Sequence, residues 1–138
     1  METYKITPQV VFMVMLWINT VFGMPDNCAN STASVENCHM TQGIDQVYIE
    51  GFAPACTKHD VCYRCGARFH KDREKCDLIF LDELSAICKT LNGTTYNVAA
   101  CDGVAGTFYS LIYMSGNFTY YETPLHFCKD FWVAVCLN

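Results

Sequence analysis

The chain has no Gly-x-Ser-x-Gly segment, no uninterrupted basic run and no second long apolar run, and each absence removes a class of function. Without the first there is no nucleophile elbow to supply a serine for acyl transfer. The densest basic stretch, Lys71-Asp-Arg-Glu-Lys75, is broken by acids, and the net charge is −5, so nucleic acid is not an expected partner. The same charge gives no strong attraction to anionic membranes. Contact with lipid would rest on apolar side chains such as Tyr48, Ile49, Phe52 and Phe69. Internal repeats and low-complexity tracts are also missing. The one long apolar run, Val10 to Ile18, follows Lys5 and leads to Val21-Phe-Gly23. That order reads as a secretory signal peptide over residues 1–23, against the alternative of an uncleaved anchor. Residues 24–138, about 115 in all, are then expected to form one soluble domain.

Cysteine, by contrast, is abundant. All ten lie beyond the signal, at positions 28, 38, 56, 62, 65, 76, 88, 101, 128 and 136. An even number at this density in a small secreted chain predicts a framework of up to five disulfides. The sequons Asn30-Ser-Thr32, Asn92-Gly-Thr94 and Asn117-Phe-Thr119 point to the same compartment and to a glycoprotein. A zinc site built from Cys56, His59, Cys62 and Cys65 is the competing reading. An oxidising compartment and six further cysteines count against it.

Apolar spacing predicts a mainly α fold. Residues 24–54 are read as loop, and helix character is placed from Ala55 to about Gly66. Asp77, Phe80, Leu81, Leu84, Cys88 and Leu91 form the stripe of a second helix, with Asp72 and Glu74 near its start and Asn92-Gly93 beyond its end. A third helix follows Asn97, presents Val98, Cys101, Ala105, Phe108, Tyr109 and Ile112 on one face, and stops at Ser115-Gly116. The aromatic tail is left unassigned, with a short hairpin around Tyr120-Tyr121 as one option.

The chemistry concentrates in Cys56-Thr-Lys-His-Asp-Val-Cys-Tyr63. On a helix, His59, Cys62 and Tyr63 share a face, and Asp60 points about 100° away. A general base and a cation ligand can thus be offered to one cleft. Asp77 begins the second stripe on a charge. If a short turn makes the two helices antiparallel, Asp77 returns opposite His59, where a carboxylate fixes the ring tautomer and stabilises the imidazolium. The alternative is that Asp77 only caps its helix. Asp82 and Glu83 are expected in solvent, as are His39, His70 and His126.

These residues resemble the active-site helix of secreted phospholipases A2, with its Cys-x-x-His-Asp-x-Cys-Tyr pattern, and Cys76-Asp77 is similar to the second-helix Cys-Asp of that family. The resemblance is nearest to the bacterial and fungal branch and the conodipine-type enzymes. It includes Phe52-Ala-Pro-Ala-Cys56, Asp77-Leu-Ile-Phe80, and Ala100-Cys101 followed by Ala105, Phe108-Tyr109 and Ser115-Gly116. It covers about residues 36–116.

What it implies is a small disulfide-rich domain with two antiparallel catalytic helices, a third packed helix and an N-terminal calcium loop. His59 would be the base, Asp77 its partner and Tyr63 a hydrogen-bond donor to that aspartate. Asp60 would bind Ca²⁺. The Tyr-Gly-Cys-x-Cys-Gly calcium loop of the animal enzymes is absent, and Glu36-Asn37-Cys38 resembles the bacterial arrangement of an acid and a carbonyl. Glu36 read without the resemblance is a solvated loop acid. The implied bridges are Cys38–Cys56, Cys62–Cys76 and Cys88–Cys101, with Cys28, Cys65, Cys128 and Cys136 unpaired by the comparison. The implied activity is calcium-dependent hydrolysis of the sn-2 ester of glycerophospholipids at a membrane or micelle surface. The alternatives are a catalytically silent phospholipase-like toxin or a receptor- or lipid-binding protein, and a purely structural disulfide-rich module.

Overall fold

The computed structural model describes residues 28, 44, 46–90, 97–116 and 119–138. Four α-helices lie among the described residues: α1 (Gln46–Cys65), α2 (Arg73–Thr90), α3 (Val98–Ser115) and α4 (Phe131–Leu137). Short 3₁₀ turns at Gly66–Phe69 and His126–Lys129 complete the order. No strand occurs among the described residues. The signal peptide, the calcium loop with Glu36, Asn37 and Cys38, His39, the three sequon asparagines, Leu91 and Gly93 lie outside them.

The α1 helix starts well before Ala55, which corrects the loop expected through residue 54. Gly51 and Pro54 had argued against a helix there. Yet Tyr48, Phe52, Ala55 and Cys56 recur at helical spacing and are all buried. Burying a side chain the size of Phe52 contributes about 1.5–3 kcal/mol, and its three neighbours add to that. Together they offset the propensity cost of about 3 kcal/mol for proline and about 1 kcal/mol for glycine. Pro54 itself is exposed, so its ring disturbs no packing.

The chain reverses between α1 and α2 at Gly66, whose carbonyl accepts from Lys71 N at 2.9 Å. A Cβ on Gly66 would lie 2.7 Å from the Lys71 carbonyl oxygen, so only glycine fits this approach. His70 supplies the left-handed residue of the turn, at φ 54°. Asp72 then caps α2, its carboxylate accepting from Lys75 N at 2.8 Å. The reversal makes the helices antiparallel: Cys62 is bonded to Cys76, His59 meets Asp77, and Lys58 pairs with Glu83. Glu83 is therefore an ion-pair partner and not simply a solvated acid, whereas Asp82 is exposed as expected. Asn97 caps α3 by accepting from Ala100 N at 2.7 Å, and Cys88–Cys101 ties α3 to α2.

Four disulfides join described residues: Cys28–Cys136, Cys62–Cys76, Cys65–Cys128 and Cys88–Cys101. Cys56 is also disulfide-bonded. Among the described residues the tail forms no hairpin at Tyr120-Tyr121. Tyr121 N donates to the Tyr63 carbonyl at 2.9 Å, and the Tyr120 hydroxyl donates to the Lys71 carbonyl at 2.7 Å. Those bonds go to α1 and the α1–α2 turn instead of to a second strand. Beyond them Cys128, Val133, Cys136 and Leu137 are buried against α1.

Tyr48 and Phe52 are core residues, at 7% and 0% exposure, which removes them as lipid contacts. Ile49 and Phe69 are half-buried. The large apolar side chains that do face out include Leu78, Leu111, Met114 and Phe131.

Candidate active site

His59 projects from the C-terminal half of α1 toward the start of the second turn of α2, and its Nε2 lies 2.9 Å from Asp77 Oδ1. The Tyr63 hydroxyl, one helical turn further along α1, donates to the same oxygen at 2.6 Å. His59 is 6% exposed and Asp77 is 0% exposed. The predicted return of Asp77 to His59 is thus what the structure contains, and the simple helix-cap reading gives way: the cap is Asp72.

The geometry sets proton positions. A carboxylate oxygen accepting from Tyr63 can only accept from the imidazole too, so in the neutral ring it is Nε2 that carries the hydrogen and Nδ1 that keeps the lone pair. Two tilted aromatic rings pack against the imidazole, Tyr63 with its centroid at 4.1 Å and Phe80 at 4.8 Å. Burial, and next the bond to Asp77, push the Tyr63 phenol above its ordinary range, while the Arg73 charge acts the other way. Tyr63 therefore stays a neutral donor. Tyr120 packs edge-on against Tyr63, with centroids 5.7 Å apart. Its own phenol is raised by burial and then by Asp72 and Glu122, which preserves its bond to the Lys71 carbonyl.

Asp60 is half-buried, next to His59 in sequence and turned about 100° from it round the helix. Its hard oxygen donors suit a calcium ion, which takes six to eight oxygen ligands. Among the described residues no three His, Cys, Asp or Glu side chains gather into a group able to hold a metal ion. Glu36 and Asn37 fall outside the described residues, so Asp60 is the one proposed ligand whose position is defined. His70 and His126 are exposed, away from this cluster.

Two contributors escaped the sequence. Gly116 was legible only as a helix stop. A Cβ there would collide with the Tyr63 hydroxyl and lie 3.2 Å from Arg73 Nη1, so a bare backbone is what lets the tyrosine reach Asp77. Arg73 stands four residues before Asp77, a spacing that places both on one helix face and was the available signal. Its Nη1 is 3.8 Å from Asp77 Oδ2.

Comparison with known proteins finds related sequence over part of the chain. Fifty-two residues, 38% of the chain, are 46% identical to Conodipine-P3 of Conus purpurascens. The same length is 44% identical to Conodipine-P2 of that species. Thirty-seven residues, 27% of the chain, are 40% identical to the Conodipine-M alpha chain of Conus magus. The matched residues span 28% of the length of the first two relatives and 48% of the third. The chain is related to the conodipines over these residues, in keeping with the phospholipase A2-like resemblance of its His-Asp helix. No protein-family model matches the chain, and no solved structure does.

Proposed function

We propose that the chain is a secreted, calcium-dependent phospholipase A2 that hydrolyses the sn-2 ester of glycerophospholipids to a lysophospholipid and a fatty acid. The observation that carries this reading is the buried His59–Asp77–Tyr63 cluster, in which one imidazole nitrogen is tied to a carboxylate and the other keeps a lone pair. Such a ring is a general base. His59 Nδ1 takes a proton from water as the water oxygen bonds to the ester carbonyl carbon. Asp77 stabilises the resulting imidazolium. When the ester C–O bond breaks, the same nitrogen returns the proton to the leaving alkoxide. No side-chain nucleophile is needed. Ca²⁺, when bound, would polarise the carbonyl and neutralise the phosphate. Asp60 would hold it, with Glu36 and the Asn37 carbonyl. Peripheral contact with a vesicle or micelle brings the substrate, and the disulfide-rich fold suits the extracellular compartment this requires.

Release of fatty acid from phosphatidylcholine vesicles, followed with calcium and with chelator, tests the reading. Calcium-dependent release is expected. Its absence from correctly oxidised protein would favour the silent lipid- or receptor-binding alternative. Asp60→Asn should weaken calcium binding by calorimetry and abolish turnover, with Glu36→Gln the milder of the two. Unchanged calcium affinity in Asp60→Asn would remove Asp60 from the metal site.

A further inference from the structure

Asp77 has two carboxylate oxygens, and the catalytic proposal uses only one. Oδ1 accepts from both His59 and Tyr63, while Oδ2 is buried with no hydrogen-bond partner among the described residues. A charged oxygen left in that state is costly, and a cation nearby is the usual remedy. Arg73 Nη1 lies 3.8 Å away, on the preceding turn of α2. The same nitrogen donates to the Tyr113 carbonyl at 3.0 Å, and the guanidinium sits 5.2 Å from the Tyr113 ring centroid. Gly116, three residues on, is the backbone against which the Tyr63 hydroxyl rests.

We infer that Arg73 is a positioning residue for the dyad, joining the spare oxygen of Asp77 to the C-terminal end of α3. This deepens the proposed phospholipase reading and rests on it. The guanidinium does two things at once. Its charge stands beside Oδ2 and leaves Oδ1 turned toward His59. Its bond to Tyr113 holds the end of α3 so that Gly116 stays under Tyr63. A planar group with several fixed donors can serve both partners, which a single ammonium does less well. Arg73 touches neither water nor ester in this scheme and acts through Asp77 and Tyr63.

A double-mutant cycle in denaturant, with the disulfides intact, decides the pairing without reference to activity. Arg73→Met, Asp77→Asn and the double variant are compared with the parent. The expected result is that Arg73→Met shifts the unfolding equilibrium at least about tenfold more in the parent than in the Asp77→Asn background, the size of coupling seen between contacting charges. Additive effects would mean that Arg73 only packs against Tyr113, and would overturn the inference. On a dispersed short-chain phospholipid, Arg73→Met should lower kcat about tenfold or more with KM within about twofold, because misplacement of a base costs rate and not binding. Arg73→Lys should restore part of both effects. Coupling with an unchanged kcat in an active protein would overturn the positioning role. If the parent hydrolyses nothing, the phospholipase reading fails by itself, and the cycle still decides whether Arg73 is the partner of Asp77.

Discussion

Around Phe52, Phe80 and Phe108 the helices are held by interlocking apolar side chains, with Leu84, Ala105 and Tyr48 closing the cluster. Phe52 and Phe108 meet edge to face, with centroids 5.5 Å apart. At the other end, around Val61, Val133 and Leu137, the packed residues include Cys28, Cys62, Cys65, Cys76, Cys128 and Cys136, all in bridges. The first region, though it also holds bonded Cys56 and the Cys88–Cys101 bridge, is filled mainly by apolar side chains, whereas the second is laced by three bridges. The dyad lies where they meet: Phe80 of the first packs at a tilt against His59, and Tyr63 of the second bonds Asp77. A charged cluster weakens an apolar core, and this seam lets it stay buried while rigid elements stand on both sides.

The largest effect is expected at the seam itself. His59→Gln should lower hydrolysis about 10²–10⁴-fold, the usual contribution of a general base, while the denaturation midpoint moves little. Substantial turnover by pure variant protein would end the base assignment. A large stability loss would instead make His59 part of the core.

The two regions can be told apart by what they do to the unfolded chain. Phe108→Ala should cost about 3–5 kcal/mol through the cavity it leaves, with the denaturant slope unchanged. Replacing both Cys65 and Cys128 by Ala opens a link spanning 63 residues. It should cost about 2–5 kcal/mol and raise the slope, because the released chain exposes more surface when unfolded. Equal slopes for the two variants would erase the distinction between buried and covalent regions.

The smallest effect probes the edge of the seam. Gly116→Ala should cost about 1–3 kcal/mol by overpacking, and turnover should drop as Tyr63 is pushed from Asp77. A variant as active and stable as the parent would show that the α3 end yields freely.

Residues whose placement follows from local spacing were legible in the sequence. His59, Cys62 and Tyr63 share a helix face, the second stripe begins on Asp77, and Asn97 announces α3; all three features stand in the structure. The Cys62–Cys76 and Cys88–Cys101 bridges, implied by resemblance, are also there. What escaped depends on distant contacts. The early start of α1 is decided by Phe80, Leu84 and Phe108, far along the chain from Tyr48 and Phe52. Pairing Cys28 with Cys136 and Cys65 with Cys128 requires the path of the tail, whose short elements carry no clear period. Gly116 matters for what approaches it, and a missing side chain leaves no pattern to read.

The Cys62–Cys76 bridge has a consequence for when the site comes into being. Cys62 lies one helical turn beyond His59, and Cys76 adjoins Asp77. The bond that fastens the two helices therefore also restrains the spacing of His59 and Asp77. A newly made, fully reduced chain carries every residue of the dyad without this restraint on their spacing. Maturation of the site is then tied to a chemical step, oxidation of one thiol pair.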